Sequence, residues 1–518
     1  MPRWRSRPRP SSPKPRRRAT AGRRWRMRRR AERLCVTPGA LCLCIAVEPT
    51  PPWTALADRL FASAEAFLHR SRQEQDPVVQ VRPPRALMES WGLPELLREP
   101  EGIGLERVEQ LVEDYWQAST RVHDPRFVSH QVAVPHPISA LGDFAHGLTN
   151  NGHATYEMGP QAVAVEFAVV DWMLEKIGWS NGSGLLVHGG SIANLSCLLA
   201  ARATAFPDAW EQGVPAGAQL FVPSTCHYSV ARCAGILGIG TDAVVAVPAD
   251  ARGVMIPSEL DAALAAARAA DAPILAVVAN ACATATGLYD PLRAVGEICQ
   301  RHGVWLHVDG CHGASVLISE KWRHLVDGIE LADSVCWDAH KMLGASALCA
   351  GVLFRAPDAV YRSFRQDGNY LAGTEAEELP FLRSIECTRS GLGLRAFLVL
   401  AWHGEARLAA DLDRMHANAR FLEQLLRAAE DFEVPLAPES NILLFRPRPR
   451  GQELSDAQIE AIRRSLMDAG SFYLTAANFA GRKWLRVTLM NPATTEQHLQ
   501  RMTEEVRSQA LEIGAAGD

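Results

Sequence analysis

Apolar residues in the central part of the chain come in short uninterrupted runs that alternate with Ala-rich amphipathic stretches. The runs are GLLVHGG, AQLFVPS, APILAVVANA, VWLHVDG and SVCWDAHK, all between residues 160 and 355. Strands that are apolar on both faces and separated by helices are typical of a parallel sheet covered by helices. The pattern therefore predicts an α/β fold with a central, mostly parallel sheet.

The segments on either side of this sheet follow a helical period. Two amphipathic stretches near the N-terminus, WTALADRLFASAEAFLHRSR and LERVEQLVEDYWQAS, are joined by a Pro-rich loop. After residue 396, two long amphipathic helices precede NILLFRP, a further helix and KWLRVTLMNP. We expect an N-terminal helical arm over residues 51–122, a large domain over 123–396 and a smaller C-terminal α+β domain over 397–518.

Composition and charge change this picture only at the N-terminus. The apolar fraction of 47% and the charged fraction of 22% are those of a globular protein. Residues 1–30 contain 14 Lys and Arg and no acid, so the net charge of −4 leaves −18 on the rest of the chain. We expect residues 1–50 to be a basic low-complexity tail that is disordered or an over-long start, because such a composition cannot bury a core.

Partners and compartment follow from the same composition. The basic head is compatible with a targeting signal or a nucleic-acid arm, but an acidic body gives no reason to expect nucleic acid as the main partner. No stretch has the ~18 uninterrupted apolar residues of a transmembrane helix. The 12 cysteines include no CxxC pair, and several lie in apolar runs as small core residues. We therefore expect a cytoplasmic protein without a nucleic-acid or membrane partner.

Ionisable residues follow the predicted strands at their carboxyl ends, where ligands collect in an open α/β sheet. The stretch SVCWDAHKML carries Asp338, His340 and Lys341 into apolar surroundings. Burial lowers the pKa of a lysine, and this is tolerated where the neutral amine is needed as a nucleophile, above all for a Schiff base. We expect Lys341 to be such an amine.

Three further motifs suit the same chemistry. Asp309 ends the strand of WLHVDGCHGA, where its carboxylate needs a cation such as a protonated pyridine nitrogen or a structural arginine. His227 in TCHYSV either stacks on a flat ring or caps a helix. Gly190 and Ser191 in VHGGSIANL open a helix whose free amides would bind a phosphate. Together a lysine, an acid, a flat stacker and a phosphate site are what pyridoxal phosphate requires.

At these residues the sequence resembles the group II pyridoxal-phosphate-dependent amino-acid decarboxylases, which include the glutamate, cysteine sulfinate, aromatic amino acid and diaminobutyrate enzymes. The motifs HVDGCHGA, ADSVCWDAHKML, VHGGSIANL, TYEMGP and LRVTLMNPATT carry the resemblance, which extends from about residue 123 to about residue 495. It implies the fold-type I architecture of aspartate aminotransferase and a homodimer with active sites at its interface. It also implies decarboxylation of an L-amino acid to an amine through a Schiff base and a quinonoid intermediate.

The resemblance assigns roles position by position. Lys341 matches the Schiff-base lysine, Asp309 the partner of the pyridine nitrogen, and His227 the histidine that stacks on the ring and is placed to assist protonation. Further positions that match cofactor contacts are Gly190, Ser191, Thr284, Cys311, Ser334, Asp338 and His340. Cys311 replaces an alanine common beneath the ring. Asp338 often is Asn in the family, and a carboxylate there repels a phosphate.

Other matches concern the substrate. Arg486 in KWLRVTLMN matches the arginine that holds the substrate carboxylate, which suits its forked geometry. Tyr370 in RQDGNYLAG matches the tyrosine of a mobile loop that reprotonates the substrate, and His227 is the alternative proton donor. His130 and His153 either bind an acidic side chain or pair with polar neighbours. Glutamate, aspartate, diaminobutyrate and aromatic substrates all stay open.

Other functions share part of this pattern. An aminotransferase or a carbon–carbon lyase would use the same lysine, acid and phosphate site, and the loop match at Tyr370 favours decarboxylation over both. A non-catalytic paralogue would be expected to lose Lys341 or Asp309, and both are present. Cys311 lies near His307 and His312 in the sequence, but no metal-ligand signature accompanies them, so we expect no metal.

Overall fold

A computed structural model of the chain describes residues 53–362, residue 364 and residues 380–515. The predicted basic tail over residues 1–50 and the loop residue Tyr370 lie outside the described residues. Contacts along the chain group residues 54–518 into one unit. The domain limits at residues 122 and 396 stay predictions.

The larger sheet of the described chain has seven strands, of which five begin in the predicted apolar runs. They are β1 (Ser183–Val187), β2 (Gln219–Pro223), β3 (Val244–Val247), β4 (Ile274–Asn280), β5 (Leu306–Asp309), β6 (Ser334–Asp338) and β7 (Ala350–Phe354). Their order is β1-β7-β6-β5-β4-β2-β3. β7 pairs antiparallel with β1 and β6, and the other pairs are parallel. The predicted α/β fold with a mostly parallel sheet is confirmed, with one reversed strand that the apolar pattern did not separate.

Helices precede, cover and follow this sheet. In chain order they are α1 (Trp53–Arg72), α2 (Pro84–Ser90), α3 (Leu93–Leu96), α4 (Gly104–Ala118), α5 (Pro137–Thr149), α6 (Pro160–Ile177), α7 (Gly190–Ala205), α8 (Ala209–Gln212), α9 (Tyr228–Ile236), α10 (Pro257–Ala269), α11 (Leu292–His302), α12 (Ala359–Arg362), α13 (Gly393–His403), α14 (Glu405–Ala428), α15 (Asp456–Ala469) and α16 (Glu496–Ala515). The predicted N-terminal helices correspond to α1 and α4, and the Pro-rich segment between them forms two short helices. No helix of the described part is both long and apolar enough to cross a membrane.

Alternating strand residues serve two cores on opposite faces of the larger sheet, as the period of a strand requires. On β4, Val277 packs in the cluster that contains α6, α10 and α11, whereas Val278 packs with α7 and α9. Both side chains are fully buried. Helices on both faces leave the carboxyl ends of the strands as the place where polar side chains can gather.

A second sheet lies in the C-terminal part of the described chain. It consists of β8 (Phe432–Glu433), β9 (Ile442–Pro447), β10 (Thr475–Phe479) and β11 (Arg482–Thr488), in the order β10-β11-β9-β8 with antiparallel pairing throughout. α15 begins with a capping box in which Ser455 and Gln458 satisfy each other's backbone amides. α14 joins the two cores, since Leu412 packs beneath the larger sheet and Leu422 beneath the smaller one.

Candidate active site

A cavity of about 330 Å³ lies at the carboxyl ends of the central strands. Nine residues that the sequence predicted as cofactor contacts line it: Gly190, Ser191, His227, Thr284, Asp309, Cys311, Asp338, His340 and Lys341. Asp309 ends β5 and Asp338 ends β6, and the parallel register aligns Asp309 with Asn280 at the end of β4. The fold therefore brings together residues that are up to 151 positions apart in the chain.

Lys341 is held by an ion pair at the floor of this cavity. Its Nζ lies 3.0 Å from Oδ2 of Asp338, whose side chain is 1% exposed. Burial alone would lower the pKa of Lys341, but the Asp338 carboxylate, with Cys311 and Asp309 adding to it, raises that pKa above its usual value. The expectation of a lowered lysine pKa is therefore wrong for this state of the protein, because sequence reasoning considered burial without the charge of the neighbour.

Asp309 is an ionised carboxylate at the other side of the site. Its Oδ2 accepts a hydrogen bond of 3.0 Å from Nδ2 of Asn194, and its Oδ1 accepts one of 3.3 Å from the backbone amide of Cys311. Burial acts to raise the pKa of Asp309, but Lys341 and its other polar neighbours hold it below the ordinary value. Such a carboxylate can stabilise a protonated pyridine nitrogen.

The start of α7 forms one wall of the cavity. Gly189 adopts a left-handed φ of 99°, and α7 begins at Gly190 without a side-chain cap, so its first amides are free for an anion. A Cβ on Gly190 would lie 2.5 Å from Sγ of Cys311 and 3.1 Å from Oδ2 of Asp338, so only glycine fits there. The carboxylate of Asp338 thus lies against the predicted phosphate site. Its buried Oδ1 has no hydrogen-bond partner among the described residues.

His227 occupies the N-cap position of α9. Its Nδ1 accepts hydrogen bonds from Oγ of Ser229 at 2.7 Å and from the Ser229 backbone amide at 3.3 Å. A nitrogen that accepts carries no proton, so the ring is the tautomer with its proton on Nε2. Burial lowers the pKa of His227, which keeps the ring neutral at neutral pH. His227 therefore caps α9 and also lines the cavity. Capping the helix does not exclude the other role suggested by the sequence, stacking on a flat ring.

Arg486 is a buried cation behind the wall of the cavity. It is 6% exposed, and its guanidinium donates to the backbone oxygens of Thr284 at 2.7 Å and Ala285 at 3.3 Å. Burial lowers its pKa to about 10, so it stays charged at neutral pH. No carboxylate lies within ion-pair distance of Arg486 in the described ranges. A buried charge of this kind is costly unless an anionic partner binds to it.

The structure places three other predicted residues away from the cavity. Ser334 begins β6, about 13 Å along the strand from Asp338, and its hydroxyl accepts from Nε1 of Trp305 at 2.9 Å. His130 lines a separate opening and contacts the hydroxyl of Tyr473 at 2.9 Å. His153 is fully buried, with Nδ1 3.7 Å from Oε2 of Glu166. This geometry removes Ser334 from the phosphate site, and His130 pairs with a polar neighbour, whereas neither ring nitrogen of His153 has a hydrogen-bond partner among the described residues.

Sequence reasoning missed Asn194 as a site residue. Asn194 lines the cavity from the first turns of α7 and contacts Asp309 directly. The signal was present in SIANL, where a polar amide is three positions after Ser191 and on a helix whose buried positions are apolar apart from Asn194 and Ser196. Cys282 and His312 also line the cavity. The ring of His312 is neutral because burial lowers its pKa to about 3.

Asp309, Cys311 and Cys336 form the one group of potential metal ligands found in the described part of the chain, with ligand atoms within 4.8 Å of one another. The two thiols are hydrogen-bonded, with Sγ of Cys311 3.2 Å from Sγ of Cys336. Burial raises the pKa of Cys336 to about 12. Both thiols are buried, and Cys311 lies on the wall of the cavity.

The residues present fit pyridoxal phosphate. Lys341 supplies an amine, Asp309 an anion for the ring nitrogen and α7 a set of free amides for the phosphate. The buried Oδ1 of Asp338 has no hydrogen-bond partner among the described residues, and the Arg486 guanidinium, which donates only to neutral oxygens, has no carboxylate partner there. This combination, on a mostly parallel sheet of this topology, defines the class of fold-type I pyridoxal-phosphate enzymes.

Comparison with known proteins agrees with that class. The family model described as the pyridoxal-dependent decarboxylase conserved domain matches residues 103–448. Human cysteine sulfinic acid decarboxylase is 32% identical over 73% of this chain and 80% of its own length. Human acidic amino acid decarboxylase GADL1 is 30% identical over 85% of this chain and 88% of its own length. The crystal structure of mouse CSAD superposes with a TM-score of 0.83 at 27% identity and covers 88% of this chain and 98% of its own.

The chain therefore belongs to the pyridoxal-dependent decarboxylase family. It is a pyridoxal-phosphate-dependent carboxy-lyase that acts on amino acids, as the motifs around Asp309 and Lys341 predicted. Family membership does not specify which amino acid is the substrate or what each side chain of the site does. Both depend on the chemistry of the site.

Proposed function

We propose that this enzyme decarboxylates a small acidic amino acid, with Arg486 holding the carboxylate that leaves. The observation that carries this proposal is the buried Arg486 guanidinium, which has no carboxylate partner among the described residues and lies against the Thr284 wall of the cavity. The acidic class is supported by the relatives, whose names specify cysteine sulfinic acid and acidic amino acids. The forked guanidinium of Arg486 would hold the leaving carboxylate in one orientation.

Each side chain of the cavity has a role in this scheme. Pyridoxal phosphate supplies a ring that takes up the electron pair released when the bond between Cα and the carboxylate breaks. Lys341 provides the amine that attaches the cofactor, and Asp309 keeps the pyridine nitrogen protonated. The start of α7 at Gly190 and Ser191 binds the phosphate through free amides.

Proton return to Cα needs a donor close to the ring. His227 carries its proton on Nε2 and is neutral at neutral pH, as its two hydrogen bonds from Ser229 require. A neutral imidazole gives up its N–H only weakly, so His227 acts as a general acid only once Nδ1 has also taken up a proton. Tyr370 is the other predicted donor, and it lies outside the described residues.

Homodimer formation and a cytosolic location belong to the same proposal. α5 exposes Leu141, Phe144 and Leu148, which are 43%, 41% and 62% exposed. The neighbouring α13 exposes Phe397 and Trp402. A contiguous apolar surface of this kind supports association with a second copy. The nine cysteines of the described residues are free, which supports a reducing compartment.

A substrate panel tests the proposal. The enzyme reconstituted with pyridoxal phosphate is given L-cysteine sulfinate, L-aspartate, L-glutamate, L-2,4-diaminobutyrate and L-tryptophan separately, and carbon dioxide release is measured. We expect release from one or more of the three acidic amino acids and at least about tenfold higher kcat/KM for them than for the other two. Turnover of diaminobutyrate or tryptophan alone would refute the acidic class.

A further inference from the structure

Asn194 uses its whole hydrogen-bonding capacity inside the protein. Its Nδ2 donates to Oδ2 of Asp309 and to Oγ of Ser229, both at 3.0 Å. Its Oδ1 accepts from Nε2 of His307 at 2.9 Å and from Sγ of Cys336 at 3.1 Å. A side-chain amide has two donor hydrogens and two acceptor positions, so all four are occupied. Asn194 is 1% exposed, which means that water does not replace these partners.

The orientation of this amide follows from its neighbours. Asp309 is ionised and can only accept, so the amide nitrogen must face it. Burial lowers the pKa of His307 to about 4, so its ring is neutral and carries one proton. That proton is on Nε2, because Nε2 faces the amide oxygen of Asn194.

The chain of hydrogen bonds continues away from the cavity. Trp305 can only donate, and its Nε1 lies 2.9 Å from Oγ of Ser334. The Ser334 hydroxyl is therefore free to donate to Nδ1 of His307 at 3.0 Å. The donors run in one direction from Trp305 through Ser334, His307 and Asn194, and they end at the carboxylate of Asp309. This set of four residues behind Asp309 is called the relay below.

A branch leads from the same amide to His227. Oγ of Ser229 accepts from Asn194, so its own hydrogen is available for Nδ1 of His227 at 2.7 Å. Asn194 thus contacts Asp309 directly and His227 through the hydroxyl of Ser229. These are the two side chains that would contact the cofactor ring. Neither Leu nor Asp at this position could both donate to Asp309 and accept from His307.

We propose that Asn194 is a positioning residue that orients the carboxylate of Asp309 towards the pyridine nitrogen of the cofactor, and that the relay through His307 fixes the orientation of Asn194. The proposal rests on the cofactor role of Asp309 given above and adds the side chains that impose it. It also gives Ser334 a function in place of the phosphate contact that the sequence suggested.

The relay acts only on the pyridine-ring end of the cofactor. This distinguishes its loss from a general disturbance of packing, which would affect the whole cofactor site. In Asn194→Leu, a variant of similar size, Asp309 keeps the backbone amide of Cys311 but loses the side-chain donor at Oδ2, so it holds the pyridinium less well. We expect the dissociation constants of pyridoxal phosphate and of phosphate-free pyridoxal to rise by the same factor, about tenfold or more. Ser191→Ala, which removes the hydroxyl beside the free amides at the phosphate end, should instead weaken only pyridoxal phosphate.

The measurement uses apoenzyme titrated with pyridoxal phosphate or pyridoxal, together with the 15N chemical shift of cofactor labelled at the pyridine nitrogen. In Asn194→Leu the shift should move towards that of the unprotonated ring. Asn418→Leu is the matched control, since Asn418 is a buried amide in α14. Its side chain donates to the backbone oxygen of Thr494 at 2.8 Å. It should leave both dissociation constants and the 15N shift unchanged.

The result that would overturn the proposal is a folded Asn194→Leu protein with both dissociation constants within twofold of the unaltered enzyme and an unchanged 15N shift. If Asn194→Leu does not fold, two variants of His307 test the proposal instead. His307→Gln keeps an N–H for Asn194 and should behave like the unaltered enzyme, whereas His307→Leu should show the loss. Equal behaviour of these two variants contradicts the relay. None of these readouts requires turnover, so they stand even if the acidic substrate class is refuted.

Discussion

Nζ of Lys341 lies 3.0 Å from Oδ2 of Asp338, and this pair keeps the lysine protonated in a cavity where burial alone would favour the neutral amine. The amine attacks the cofactor aldehyde only after it has lost that proton. Asp338 is therefore the group that sets the pH at which Lys341 becomes reactive. It also lies against Gly190, where the phosphate is proposed to bind.

Asp338→Asn should let the cofactor attach at lower pH. Without the carboxylate, the pKa of Lys341 falls, because burial is no longer opposed by the nearest negative charge. We expect the pH profile of the rate at which added pyridoxal phosphate develops its bound visible band to move down by about one unit or more.

The control for this change is Asp411→Asn, which removes another buried carboxylate from an ion pair, that with Arg407 at 3.0 Å on α14. It should leave the profile where it is in the unaltered enzyme. Superimposable profiles for Asp338→Asn and the unaltered enzyme would show that Asp338 does not control the lysine.

Arg486→Met should impair substrate binding more than it impairs the cofactor. A charge-assisted hydrogen bond is worth about 1.5–3 kcal/mol, so we expect kcat/KM to fall roughly 10- to 100-fold with an unchanged dissociation constant for pyridoxal phosphate. Steady-state kinetics of carbon dioxide release measure this. Arg482→Met on the same strand removes an arginine that pairs with Glu433 and Glu453, and its kcat/KM should stay within about twofold. Equal losses in both variants would argue against carboxylate binding by Arg486.

Glu166 and Arg389 should make the stability depend on pH in the acid range. Their fully buried pair has two hydrogen bonds of 2.9 Å, and Arg389 lowers the pKa of Glu166 to about 2 although burial acts to raise it. Because this pKa is lower in the folded state than the ordinary glutamate value of 4.5, the stabilisation is present above pH 4.5 and is lost as the pH falls towards 2. Urea unfolding between pH 7 and pH 3 measures the slope.

Glu166→Gln should lower the free energy of unfolding at pH 7 by about 3–5 kcal/mol, since it leaves Arg389 buried without a counter-charge. It should also reduce the dependence of the free energy of unfolding on pH in the acid range. Glu423→Gln, which breaks the partly exposed pair with Arg427, should cost about 1 kcal/mol or less. A cost for Glu166→Gln as small as that of Glu423→Gln would show that the buried pair does not stabilise the fold.

Leu148→Glu should weaken the proposed homodimer. Leu148 is 62% exposed on the apolar side of α5, and a charge there would be desolvated in an interface. Sedimentation at micromolar protein should show a shift from dimer to monomer. Leu97→Glu is matched to it, because Leu97 is 88% exposed at the end of a different helix, α3. If both variants sediment as the unaltered protein does, the interface is elsewhere.

Local sequence pattern was enough to predict those features of the fold and the site that are determined by a single strand and the turn that follows it. The apolar runs that end at Asp309 and Asp338 predicted the sheet and the end of it that carries the site, and the resemblance to the decarboxylase family supplied further cavity residues such as Thr284 and Cys311. The reversed strand β7 was not separated because a buried strand has the same composition in either direction.

Features that depend on distant neighbours were not predictable in this way. His130 contacts Tyr473, 343 positions further on, and nothing near either residue indicates that contact. Lys341 is 19% exposed rather than fully buried, and the sign of its pKa shift depends on a distance of 3.0 Å to Asp338 that the sequence does not contain. Ser334 was misplaced for a simpler reason, since four residues of strand separate it from the end that carries the site.

The account as a whole depends on where the cofactor is attached. Purified enzyme loaded with pyridoxal phosphate is reduced with borohydride, digested and mapped by mass spectrometry. We predict one reduced adduct, on Lys341, which disappears in Lys341→Ala. An adduct on another lysine, or none in a protein that has taken up the cofactor, would contradict the assignment of Lys341 and the site built around it.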